Sequence, residues 1–367
     1  LCALLLDLLE LGKNLRNVVV YLLELPEALA TTPIVDFRAP CVVIIAGGEA
    51  RRLHPYSDER PKALMELTPG VTVIDFILHQ LHHAGISEII VVTRPEHRSS
   101  FEEKLGDKDR VVTVKGEGFG NLHSLVSGLN VVGRRHILLV MGDHIFEADI
   151  VRQLIKADDG NRCLLLCLDR QPDSRNLQEG LRVQTSQQYI DRVGKMIPPQ
   201  SGVDVGLFII SPDIHDMVYK LDAESEGKAT ISDLINRLAA EGKATYVDVT
   251  GRLWVDIDTP SDLIEARRRY WEIRRRDLYK PTDGPVSRWL NRPLSTRLSI
   301  FLFKHAAWAT PNRITAISFL VALVAALLFV KEQLMVGGLL AHFSSVLDGV
   351  DGELARLRDD ITPFGSL

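Results

Sequence analysis

Cysteine is scarce in this 367-residue chain, with four in all: Cys2, Cys41, Cys163 and Cys167. Cys163 and Cys167 lie four apart in the apolar run CLLLCL, so on a strand they would share one face. Buried strand cysteines in a reducing compartment are the expected reading, rather than a metal or redox pair. An excess of positive charge is also lacking. The formal net charge is −5, and the polar part of the chain has no basic cluster with interleaved aromatics, which excludes a general nucleic-acid binder. The opening stretch LCALLLDLLELGKNLRNVVVYLLELPEAL has leucines at helical spacing. Glu10, Lys13, Asn14 and Arg16 make it a poor membrane span, and it lacks the basic start and cleavage site of a signal peptide. Residues 1–40 therefore read as a helical segment without an assignable function. No internal repeat and no low-complexity tract occurs. The chain starts at Leu1 and ends inside a motif, so a fragment at both ends is the expectation.

Overall, 46% of residues are hydrophobic and 25% charged, but these averages hide an asymmetry. Residues 41–280 read as a soluble α/β protein. There the apolar runs CVVIIA, EIIVVT, HILLVMGD and CLLLCLD alternate with segments of helical period such as TVIDFILHQLHHA and FGNLHSLVSGLNVV. This βαβα order predicts a Rossmann-like, doubly wound and mostly parallel sheet with helices on both faces. In such sheets ligands sit at the carboxyl ends of strands, where the glycines after CVVIIA and Asp143 after HILLVMG fall. Residues 261–280 form a basic helix, followed by the break PTDGP and a second, more apolar helix near 287–307. After Pro311 and Asn312, residues 314–330 carry no charge, although they fall slightly short of the roughly 20 residues of a full span. A further apolar stretch, LMVGGLLAHFSSVL, runs into DGVDGELAR. Three parts are predicted: 1–40, 41–280, and an incomplete α-helical transmembrane part over 281–367.

The segment IIAGGEARRLHPYSDERPKALMEL carries the first chemistry. A strand ending in Ala46-Gly47-Gly48 lets backbone amides approach a triphosphate without a side-chain clash. Arg51 or Arg52 can neutralise phosphate charge, and Lys62, after a proline, can act as a point charge on the α-phosphate. In this order of glycines, Arg and Pro-Lys the chain resembles the sugar nucleotidyltransferase superfamily over about residues 41–270. The family commonly has Gly where this chain has Glu49 or Ala50, so Arg52 and Lys62 carry the match. The resemblance implies that Gly120, Asn121 and Ser124 contact base and ribose, and that Asp143 holds Mg²⁺. It implies that Lys195 contacts the acceptor phosphate and that Asp204 and Gly206 form the acceptor turn. In WVDIDTPSD, Asp256 and Asp258 are alternatives for the second metal ligand, with Asp258 favoured by its pattern. The implied cofactor is Mg²⁺, with Mn²⁺ as the alternative. In the implied reaction an acceptor phosphate attacks the α-phosphorus of a nucleoside triphosphate and pyrophosphate leaves. Catalysis is then positioning and charge, without a protein nucleophile. HQLHH at 79–83 lacks the Glu of a zinc-hydrolase motif, and the histidines, His144 among them, read as surface or packed residues.

The C-terminal text contains Asp348, Asp351-Gly352, Ala355-Arg356 and Gly365. It resembles the CDP-alcohol phosphatidyltransferase signature, and TPNRIT at 310–315 resembles that family's entry into its first membrane helix. Asp348 and Asp351, three apart, share a helix face and are expected to hold a divalent metal on a CDP pyrophosphate. Gly352 and Ala355 let the nucleotide approach, and Arg356 belongs to the same binding set. Carboxylates near a span are costly unless they serve a site. By the family's spacing its last two aspartates fall beyond Leu367, so this half is expected to be inactive as given.

The fusion resembles enzymes that pair an inositol-1-phosphate cytidylyltransferase with a CDP-alcohol transferase. CTP and inositol 1-phosphate, or a similar phosphorylated alcohol, are then the implied substrates, with an inositol phosphate as final acceptor. A choline-like or phosphonate headgroup is the alternative. A non-catalytic, membrane-tethered nucleotide-binding module is the alternative of another class. The arginines at 267–269 and 274–276, just before the membrane part, favour a cytoplasmic nucleotidyltransferase on a multi-pass membrane protein and contact with anionic lipid. A homodimer through the membrane domain is compatible with this arrangement.

Overall fold

The computed structural model describes residues 40–48, 53, 60–106, 109–114, 119–198, 202–279, 284, 287–306 and 308–358. The first elements are β1 (Cys41–Ile45), β2 (Glu66–Thr68), β3 (Val71–Thr72), α1 (Val73–His83), β4 (Ile89–Thr93), α2 (Arg98–Glu102), β5 (Arg110–Thr113) and α3 (Asn121–Val132). All five residues of β1 are buried, as expected for a strand covered on both faces. Thr72 and Asp75 cap α1 reciprocally, a capping box that fixes where the helical period begins. Next come β6 (Ile137–Met141), β7 (His144–Phe146), α4 (Ala148–Ala157), β8 (Leu164–Asp169), α5 (Ser174–Glu179), β9 (Arg182–Ser186), β10 (Tyr189–Gly194) and β11 (Val203–Ile210). The α/β part closes with α6 (His215–Glu224), α7 (Ile231–Ala240), β12 (Ala244–Asp248), β13 (Trp254–Asp256) and α8 (Pro260–Asp277).

The main sheet has the order β5-β4-β1-β6-β11-β8-β12-β10-β9. The neighbours β5/β4, β4/β1, β1/β6 and β8/β12 are parallel. β11 runs antiparallel between β6 and β8. That reversal positions the site, because it brings the start of β11 to the edge where β6 and β8 end: Leu207 pairs with Val140, and Val203 with Asp169. Side-chain alternation divides the interior in two. Val42 and Ile44 enter one core, while Cys41, Val43 and Ile45 enter the other. The same alternation corrects the reading of the cysteine pair. β8 begins at Leu164, so Cys163 lies outside it and packs on the second core while Cys167 is buried in the first. The two thiols do not share a face.

His79 on α1 is paired with Arg274 of α8. Burial, reinforced by the Arg274 charge, pushes the His79 pKa down to about 3 from 6.5. The folded state thus binds fewer protons than the unfolded one between those values. Stability is fully present above the unfolded pKa and is lost as pH falls toward the folded one. The chain is expected to lose on the order of 1 kcal/mol per pH unit below pH ~6. Melting curves at successive pH values should show a shallower slope for His79→Asn, and an equal slope would refute the assignment.

After a turn of π-helix at Ser287–Asn291, α9 (Arg292–His305) leads to α10 (Pro311–Val330) and α11 (Leu334–Leu357). α10 is twenty residues long with mean hydropathy 2.4 and is 17% buried. It starts three residues before the uncharged run and so reaches the ~30 Å of a hydrocarbon core. α10 and α11 form an antiparallel hairpin. Ser318 and Ser344 each donate to the other's backbone carbonyl at 2.9 Å, and Thr315 donates to Asp351 at 2.6 Å. Glu353 on α11 is fully buried and accepts from Arg292 Nη1 (2.7 Å), Ser295 Oγ (2.7 Å) and Ser299 Oγ (2.6 Å), all on α9.

Candidate active site

A cavity of ≈ 440 Å³ opens at the carboxyl end of the parallel strands. Ala46, Gly47 and Gly48 after β1, Lys62, Gly120 with Asn121 and Ser124 at the start of α3, and Asp143 after β6 all line it. A side chain added at Gly48 would meet nothing within 4 Å, so the turn leaves room for a phosphate against the backbone. Gly120 has the opposite need. A Cβ there would lie 2.0 Å from Ala229 O, so only glycine allows α3 to start this close to the strand of chain before α7. The amino end of α3 then faces the cavity, with the positive end of its dipole toward an incoming anion, while the Gly120, Leu122 and His123 amides are taken by Gly227 O, Ala229 O and Gly120 O. Arg94 also lines the cavity, with Nε donating to Gly47 O at 3.3 Å and its guanidinium 5.6 Å from the Phe119 ring. Arg52 lies outside the described residues, as does Arg51.

A second cavity, of ≈ 210 Å³, adjoins the first, and Asn121 and Met141 line both. Its walls include Lys195, Asp204, Gly206, His144, Asp256 and Asp258. Between the two, Lys62 Nζ donates to Asp143 Oδ2 at 2.8 Å and also to Asp258. His144 was placed among the packed histidines by sequence. It is packed, but inside the acidic cluster. Its Nδ1 is 2.9 Å from Asp143 Oδ1 and 3.9 Å from Asp256 Oδ1, and its ring stacks on Trp254 at 6.2 Å and 5°. Gly206, at φ +81°, makes room for that ring, since a Cβ there would come within 2.8 Å of His144 Cδ2. Arg175 is a further wall residue absent from the sequence motifs, held by Ser261 O at 3.0 Å and Asp262 at 3.4 Å. It sits in the first turn of the short helix α5, in a polar stretch without apolar periodicity, which gave no sequence signal.

The electrostatics follow from burial and pairing. Burial alone would lower the Lys62 pKa, but the Asp143 and Asp258 carboxylates outweigh it and hold the ammonium charged. Burial would likewise raise Asp143, yet Lys62 and His144 hold its carboxyl well below the usual range. Against its own burial, His144 is pushed up to about 9 by Asp256 and Asp143. Burial pushes Asp204 up to about 7 and Asp256 up to about 6.

A divalent metal fits this donor set. Ligand atoms of Asp143, His144 and Asp256 lie within 4.8 Å of one another, and buried Asp256 Oδ1 has no hydrogen-bond partner. The nearest cation to that oxygen, His144 Nδ1 at 3.9 Å, is beyond hydrogen-bond reach, so a closer cation would satisfy it. Asp258 instead faces Lys62, so sequence pattern and geometry point to different second ligands. Asp256→Asn is expected to raise the divalent-metal concentration for half-maximal activity by about 10–100-fold. An unchanged requirement would leave Asp258 alone in that role.

On α11, Asp348 is exposed and Asp351 half-buried, the latter accepting from Thr315 across the hairpin. Gly352 and Ala355 lie beside them, half-buried. Arg356 Nη2 donates to Leu278 O, just after α8, at 3.3 Å, while its Nη1 lies beside Gly352. Gly365 lies outside the described residues. The basic helix α8 proves largely occupied with its own domain. Arg269 pairs with Glu265 and Glu272, Arg276 with Glu147 and Glu272, Arg267 donates to Glu66 O, and Arg274 is buried against His79 and Leu357 O.

Residues 41–272 match the nucleotidyl transferase family, and residues 308–367 match the CDP-alcohol phosphatidyltransferase family. A protein of Thermococcus kodakarensis named "Bifunctional IPC transferase and DIPP synthase" is 30% identical over 86% of this chain and 68% of its own length. A protein of the same name from Aquifex aeolicus is 29% identical over 88% of this chain and 72% of its own. Among solved structures, the inositol-1-phosphate CTP transferase from T. maritima superposes with a TM-score of 0.57 over 64% of this chain and 97% of its own. At 20% identity, that likeness establishes the fold.

Proposed function

The chain belongs to the nucleotidyl transferase family, with a CDP-alcohol phosphatidyltransferase segment after it, and on that premise we propose that it transfers CMP from CTP to inositol 1-phosphate. The observation that carries this reading is the pair of adjoining cavities joined by Lys62, Asp143 and Asp258. The names of the relatives supply the substrate class.

In this reading the triphosphate lies along the β1 turn at Ala46, Gly47 and Gly48, and base and ribose meet Gly120, Asn121 and Ser124. The acceptor phosphate enters the second cavity beside Lys195, with Asp204 and Gly206 shaping the turn under it. An oxygen of that phosphate bonds to the α-phosphorus, the bond to the β-phosphate oxygen breaks, and pyrophosphate departs with the electron pair. Lys62, kept charged by two carboxylates, lies where negative charge gathers on the α-phosphate, and Arg52 is assigned the same task. Both act by fixed charge placed before the reaction. Asp143, with Asp256 or Asp258, would hold Mg²⁺ or Mn²⁺, which supplies charge neutralisation between two repelling anions.

In the C-terminal part, Asp348 and Asp351 would hold a metal on the CDP pyrophosphate, Gly352 and Ala355 allow close approach, and Arg356 adds charge. In the family reading it belongs to a unit that transfers the phosphoalcohol of a CDP-alcohol to an acceptor hydroxyl, inositol phosphate by the reading above. We place the domain boundary near residue 281, α10 across a membrane and the nucleotidyltransferase on the cytoplasmic side, with a homodimer through the membrane helices. Pyrophosphate release by the detergent-solubilised chain tests the first step. Among CTP, ATP, GTP and UTP, CTP with inositol 1-phosphate is expected to turn over fastest. Faster turnover of UTP with a hexose 1-phosphate would overturn the assignment.

A further inference from the structure

A groove of ≈ 470 Å³ lies between α8 and α9, away from both cavities, and is lined by Arg268, Trp271, Glu272, Arg275, Arg297 and Ile300. Its charge is strongly positive. Arg275 and Arg297 have no ion pair or side-chain hydrogen bond among the described residues, while Arg268 shares Glu265 with Arg269. The single wall carboxylate, Glu272, is already engaged by Arg269 at 3.0 Å and Arg276 at 3.5 Å. A further cation, Lys304, sits 3.8 Å from the centroid of the Trp271 ring. Such a concentration of unopposed guanidinium groups is costly unless an anion joins it.

The setting identifies the anion. α9 turns its polar side inward, with Arg292, Ser295, Thr296 and Ser299 buried, and leaves Leu294 (50% exposed) and Phe301 (58% exposed) outward. Arg297 and Lys304 are exposed on that same outward side, and apolar side chains fringed by basic ones suit the interfacial layer of a membrane. It is followed directly by α10, the candidate span, whose Phe319, Leu320 and Leu327 are exposed. The groove therefore opens where hydrocarbon gives way to headgroups. Its chemistry is that of the interface: guanidinium forks match phosphate oxygens, and an indole ring fits the headgroup level.

We propose that the groove between α8 and α9 binds the phosphodiester headgroup of an anionic phospholipid, with Arg275 and Arg297 as its principal contacts. The site is independent of the nucleotide reading, because none of its residues lines either cavity. It also narrows which arginines of α8 face the bilayer: Arg268 and Arg275 do, whereas Arg269, Arg274 and Arg276 are spent on the protein. A lipid seated there would touch α8 of the nucleotidyltransferase and α9 of the membrane part together.

The test titrates short-chain phosphatidylglycerol into the full chain in nonionic detergent and follows tryptophan emission. Phosphatidylcholine and inorganic phosphate serve as the other arms. Phosphatidylglycerol is expected to bind in preference to phosphatidylcholine, and inorganic phosphate is expected not to displace it. Arg275→Ser with Arg297→Ser should weaken binding about 30-fold, and Arg275→Glu should weaken it as well. Arg134→Ser with Lys220→Ser, which removes equal charge from the soluble surface, should leave it unchanged. Equal binding of the two lipids, displacement by inorganic phosphate, or wild-type affinity in the groove variants would each overturn the proposal.

Discussion

Asp143→Asn is expected to reduce pyrophosphate release by about 10³-fold or more while the melting temperature and circular dichroism stay close to those of the unmodified chain. The substitution removes one anionic oxygen and almost no volume. Asp143 is the junction of the site: one oxygen receives Lys62 at 2.8 Å and the other lies 2.9 Å from His144 Nδ1. With an amide there, Lys62 keeps Asp258 as a partner, so the fold loses little. The anionic donor set for a divalent cation loses its central member, and a cation held more weakly offsets less of the charge of two repelling phosphates. Activity retained at most of its original level, with a normal spectrum, would remove Asp143 from the chemistry.

Glu353→Ala is expected to cost about 3–5 kcal/mol of stability in the membrane part, because it leaves a buried arginine without its counter-ion. Arg292 is 8% exposed, and Glu353 is fully buried. Ser295 and Ser299 would lose their acceptor at the same time. The expected result is a lower melting temperature in detergent and easier proteolysis around α9, with the nucleotidyltransferase rate preserved, since Glu353 touches neither cavity. Glu353→Gln keeps an acceptor oxygen and should fall between the two. Unchanged melting and proteolysis for Glu353→Ala would show that the α9–α11 contact rests on other interactions.

Local signals carried much of the architecture. Continuous apolar strands and the helical periods of TVIDFILHQLHHA and FGNLHSLVSGLNVV announce an alternating α/β chain, because both periods are properties of short segments. Asp143 was legible at the end of HILLVMG for the same reason. The uncharged run after Asn312 located α10, and the structure added its first turn from Pro311. The cysteine pair shows where such reasoning stops. Its shared face depended on a strand boundary, and β8 starts one residue after Cys163.

By itself, then, the sequence located the two family segments, the strand-end loop of Ala46, Gly47 and Gly48, the Lys62 and Asp143 candidates, and the paired aspartates of α11. Each is written in spacing along a few residues. Only the tertiary structure decided that β11 runs antiparallel and so delivers Asp204 and Gly206 to the same edge as Asp143. It alone put His144 among three carboxylates, Arg175 in the second cavity, and Arg297 opposite Arg275. These partners lie on different elements, so no local period relates them. Their meeting is set by the order of strands in the sheet and by which helix face is buried, and both are outcomes of packing the whole chain.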